Sequence, residues 1–86
     1  MTIEAVKATI RQGIQAAHEA EQTIKRTNAS LNDGRSLALA TLHDSEHDEV
    51  RQARAKLKEA ADEIELVLRR LASAKAHAHA YLGTLG

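Results

Sequence analysis

Apolar and small residues return along the first half of the chain in alternating steps of three and four, at Ile3, Val6, Ile10, Gly13, Ala17, Ala20, Ile24, Thr27 and Leu31. The second half repeats the pattern at Val50, Ala53, Leu57, Ala60, Ile64, Val67, Leu71, Ala74, Ala78, Tyr81 and Leu85. Steps of three and four keep side chains on one face of an α-helix, so each half predicts an amphipathic helix carrying a coiled-coil seam. Two seams in one chain predict that the halves fold back on each other lengthwise.

Two segments compete for the reversal. Asn32-Asp33-Gly34 is a turn-type tripeptide, and residues 43–49, running from His43 through Asp44, Ser45, Glu46, His47 and Asp48 to Glu49, are the most polar stretch. Ser45 with Asp48 three residues on resembles a capping box, and Glu46, Asp48 and Glu49 suit the positive end of a helix dipole. A turn at 43–46 leaves about 40 residues on each side, or roughly 60 Å of helix per arm. The prediction is a single domain over residues 1–86, with helix at about 3–42, turn at about 43–46 and helix at about 46–83. Residues 32–35 form a candidate break within the first arm. Thr2 is the expected first cap, and Gly83 and Gly86 mark the end of the second arm. Glu21 with Lys25 and Glu65 with Arg69 are spaced for ion pairs along a solvated face.

Composition supports helices and limits the core. The chain has 86 residues with no Pro, no Cys, no Trp and no Phe, and Tyr81 is its one aromatic residue. Apolar residues make up 43% of it, but 17 are alanines, which bury little area. Beyond the seams lies a further apolar row, with Ile14 and Leu42 beside the first seam and Ala61, Leu68 and Leu82 beside the second; Leu37, Leu39 and Leu66 are outliers. One partner helix satisfies two positions per heptad, and a third asks for another helix. A chain this small, without disulfides, needs a staple. The sequence therefore predicts an all-α antiparallel two-helix hairpin that pairs as a homodimer into a four-helix bundle, with Ile14, Leu42, Ala61, Leu68 and Leu82 as the intermolecular row.

Charge excludes other classes of partner. Twelve Lys and Arg balance twelve Asp and Glu, and neither half carries the basic excess of a nucleic-acid footprint or a polybasic membrane anchor. No run reaches the roughly 18 apolar residues of a membrane span, and the N-terminal segment lacks the basic-then-apolar order of a cleaved signal. The expected location is the cytoplasm, or the exterior by a route that needs no cleaved signal.

Candidate chemistry is sparse. His43-Asp44-Ser45-Glu46-His47 matches the H-x-x-E-H pattern of certain zinc proteases, which requires two His on one helical face, a carboxylate base and a further ligand. Placed at a turn in a chain with no room for a substrate cleft, it reads as a polar turn. His43 and His47 remain candidate ligands of a metal-responsive module. His77 and His79 point about 200° apart on a helix and cannot chelate one ion together, and His18 stands alone beside the seam. No nucleophile elbow or phosphate loop occurs. The expectation is a non-enzymatic interaction module without a cofactor, working as a self-associating adaptor or secretion partner and open to a further protein partner.

The segment Ala80-Tyr81-Leu82-Gly83-Thr84-Leu85, and the run from Leu39 to Ala53 in which leucines give way to a polar Ser/His turn, resemble short Ala/Leu-rich helical hairpins of actinobacteria. More broadly, the chain is similar in length and arrangement to the Trp-x-Gly hairpins of type VII secretion. That resemblance implies a dimeric secreted substrate or an adaptor for a larger effector. The sequence has no Trp, its mid-chain glycine is in Asn32-Asp33-Gly34, and Leu85 stands four residues after Tyr81, where that family's export signal carries an acid.

Overall fold

The computed structural model describes residues 2–42 and 47–86, and within them the chain is two α-helices: α1, Ile3–Leu42, and α2, Asp48–Leu85. They lie side by side and antiparallel in a body measuring 62 × 17 × 16 Å, about the length that 40 residues span at 1.5 Å per residue. The all-α hairpin expected from the sequence is the observed fold.

Local chemistry sets the ends. The hydroxyl of Thr2 accepts a hydrogen bond from the Ala5 amide at 3.0 Å, satisfying one of the amides that a helix start leaves unpaired. At the start of α2 the N-cap is His47, whose carbonyl accepts from the amides of Val50 and Arg51. Asp48 and Glu49 occupy the first turn, where the dipole favours them. The expected capping residue Ser45 lies outside the described residues. The far end of α2 closes at Gly86, which takes a positive φ of 92° and donates its amide to the Gly83 carbonyl. The helix thus continues to Leu85, two residues beyond the expected end.

The candidate break at 32–35 is not used: α1 runs through Asn32, Asp33 and Gly34 without interruption. A turn-type tripeptide costs helix propensity, but 40 residues of helix laid along a partner outweigh one weak turn.

The seam differs from the sequence reading in one of its two rows on each helix. The half-buried residues of α1 include Ile10, Ala17, Ile24 and Leu31, as expected, together with Lys7, Ile14, Asn28 and Arg35, and Glu21 is buried. On α2 they include Val50, Leu57, Ile64, Leu71, Ala78 and Leu85, as expected, together with Arg54, Ala61, Leu68, Lys75 and Leu82. Of the other expected seam positions, Val6, Ala20 and Ala60 are half-buried, whereas Ile3, Gly13, Thr27, Ala53, Val67, Ala74 and Tyr81 are exposed. The cause is side-chain size. Counting apolar positions weighs Gly and Ala like Leu, whereas burial rewards area, and Ile14, Leu68 and Leu82 offer far more of it. The charged members bring long aliphatic stems that cover the seam while their heads reach polar partners.

Candidate interaction surface

Hydrogen bonds from Lys75, Arg54 and Lys7 cross between the two arms and hold them in register. Near the middle, the Lys75 ammonium donates to the Glu21 carboxylate at 2.5 Å. Glu21 is the one buried charged residue among those described, at 7% exposure. Its carboxyl is held below the usual carboxylate range, first by the hydrogen bond from Lys75 and then by the positive charges of Lys75, Lys25 and His18, with burial opposing. At one end the Arg54 guanidinium donates to the Leu42 carbonyl at 2.6 Å, placing a cation at the C-terminus of α1, whose last turn has no basic residue of its own. At the other end the Lys7 ammonium donates to the Gly86 carbonyl and caps α2 in the same way. Sequence reasoning missed all three. Glu21 is spaced for Lys25 on its own helix, but it also stands opposite Lys75 when the chain is folded back near its middle.

These contacts decide where the expected intermolecular residues lie. Ile14, Ala61, Leu68 and Leu82 are half-buried members of the seam between α1 and α2. Leu42, at the end of α1, is 40% exposed. What the hairpin leaves outside its seam is a different row on each helix.

Around each helix, the seam is bordered by one row on either side. On one side α1 carries Val6, Gly13, Ala20, Thr27, Gly34 and Thr41, and α2 carries Ala53, Ala60, Val67, Ala74 and Tyr81; no ionisable group stands in the first row and only the Tyr81 phenol in the second. On the other side α1 carries Glu4, Arg11, His18, Lys25, Asn32 and Leu39, and α2 carries Arg51, Lys58, Glu65, Ala72 and His79. The uncharged rows lie on a common flank, since Gly13 and Ala74 line one groove with Ile10, Ala17 and Ala78. A second groove on this flank runs between Ala60 and Val67 over Ile24 and Ile64, with Glu63 on its outer rim. Both grooves exist because the flanking residues are too small to cover the isoleucines beneath.

The threonines of this flank add to its apolar character. Thr27 donates its hydroxyl to the Thr23 carbonyl at 3.0 Å and Thr41 to the Leu37 carbonyl at 2.9 Å. A hydroxyl bonded back to its own helix leaves the methyl as the outward group. Val67 is 41% and Tyr81 54% exposed, and Leu37, one step round α1 from this flank, is 70% exposed.

Among the described residues no group of three His, Cys, Asp or Glu is placed to hold a metal ion. His43, one half of the candidate pair with His47, lies outside the described residues, as do Asp44 and Glu46. Among the described residues no helix is long and apolar enough to cross a membrane. No family model, curated protein or solved structure matches this chain.

Proposed function

We propose that this hairpin is a non-enzymatic interaction module that self-associates and serves as an adaptor or secretion partner for a larger protein. The observation that carries the reading is the lack of any buried apolar side chain among the described residues. Two helices enclose nothing, so the isoleucines and leucines of the seam stay half wet. The surface reflects this: 6466 Å² is accessible, against about 5,000 Å² for a compact monomer of this mass. The radius of gyration is 19.2 Å, where a globular domain of this length has about 12 Å. Small chains of this kind gain stability by associating, and a second hairpin closes the bundle.

Light scattering on the purified protein tests the reading. The expected particle has twice the 9.4 kDa chain mass at micromolar concentration. A particle of single-chain mass with full helicity would contradict it.

A further inference from the structure

We propose that the uncharged flank, formed by the row Val6 to Thr41 on α1 and the row Ala53 to Tyr81 on α2, packs face to face on the same flank of a second copy of this chain. The assignment rests on the self-association reading above and gives it a surface.

The glycines of α1 provide the first argument. Gly13 and Gly34 lie inside a continuous helix, where each costs about 1 kcal/mol relative to Ala. Nothing within the hairpin requires them. Neither has positive φ, and a Cβ added at either position meets no atom within 4 Å. Yet they are three heptads apart on one row, with Ala20 between them, and that row belongs to the uncharged flank. Glycine and alanine at heptad spacing let a neighbouring backbone come close, so the cost finds its reason in a helix the hairpin itself does not supply.

Area and charge identify that helix as belonging to a second copy. A face 62 Å long and 17 Å wide offers roughly 1,000 Å², above the about 800 Å² per partner of a stable interface. A two-fold interface sets a surface against itself. The uncharged flank has few charges to desolvate in doing so, whereas the opposite flank would take Arg11, Lys25, Arg51 and Lys58 out of water. With the two-fold axis along the hairpin, α2 of each copy lies over α1 of the other. By the register of the arms, Tyr81 then meets Gly13, Val67 meets Thr27, and Gly34 meets Ala60. The two grooves over Ile10, Ile24 and Ile64 receive Tyr81 and Val67, and the half-exposed seam becomes the centre of a four-helix bundle.

Two variants on this flank and one control test the assignment by sedimentation equilibrium, with circular dichroism as the check on folding. Ala53→Glu with Ala74→Glu should convert dimer to monomer, while Ala55→Glu with Ala72→Glu, outside the flank, should leave the dimer intact. Gly13→Ala with Gly34→Ala should raise helix propensity and still weaken dimerisation at least tenfold, because the added methyls separate the copies. This second pair decides the matter if the glutamate variants lose helicity. A wild-type monomer overturns self-association altogether. A wild-type dimer that the alanine pair leaves unchanged or tightens overturns the assigned surface while leaving self-association in place.

Discussion

Glu21 shows how one residue can carry both register and pH response. Its carboxylate lies buried in the seam and bonded to Lys75, and its affinity for a proton is lower in the fold than in the unfolded chain. A depressed carboxyl stabilises the fold at pH values above its unfolded pKa of about 4.3. That stabilisation is lost as pH falls through the lower folded value, because below it both states bind the proton. The melting temperature of the wild type should therefore drop through this acid range. Glu21→Gln, which has no proton to gain, should start lower at neutral pH and show a shallower acid fall. Equal slopes for the two proteins would mean that Glu21 does not contribute to the acid response.

At the scale of the element, the choice of seam row governs what each side chain does. Leu68 and Val67 are neighbours in sequence, but Leu68 is half-buried between the arms and Val67 stands on the outer flank. Leu68→Ala should cost about 2 kcal/mol, the low end for a large-to-small change at a buried site, at every protein concentration. Val67→Ala should act mainly through association, with its effect vanishing on dilution. Denaturant melts at two concentrations separate these outcomes, and a larger concentration-independent loss for Val67→Ala would reverse the row assignment.

The two helices, their equal arms, the Thr2 cap and half of each seam were legible in the sequence, because three-four periodicity and end residues are local signals. The second seam row was not, since Lys7, Glu21, Arg54 and Lys75 look like surface charges until the opposite arm supplies Gly86, Lys75, Leu42 and Glu21 as their partners. Of the positions that the periodicity places in the seam, Ile3, Gly13, Thr27, Ala53, Val67, Ala74 and Tyr81 are left exposed. The periodic pattern therefore contained two apolar surfaces sharing one common row, and size and charge pairing determined which surface the hairpin closes internally.

For the whole molecule, the governing fact is that a hairpin 62 Å long has surface on every side of its seam and no interior. One flank bristles with charge and the other has almost none, so the molecule is amphipathic across its thickness as each helix is around its circumference. On the proposed self-association, pairing adds to the stability of each hairpin, so stability rises with concentration by mass action. Thermal melting followed by circular dichroism over a hundredfold range of protein concentration tests this most directly. The melting temperature should climb steadily with concentration. A melting temperature that stays constant across the range would contradict the proposed self-association.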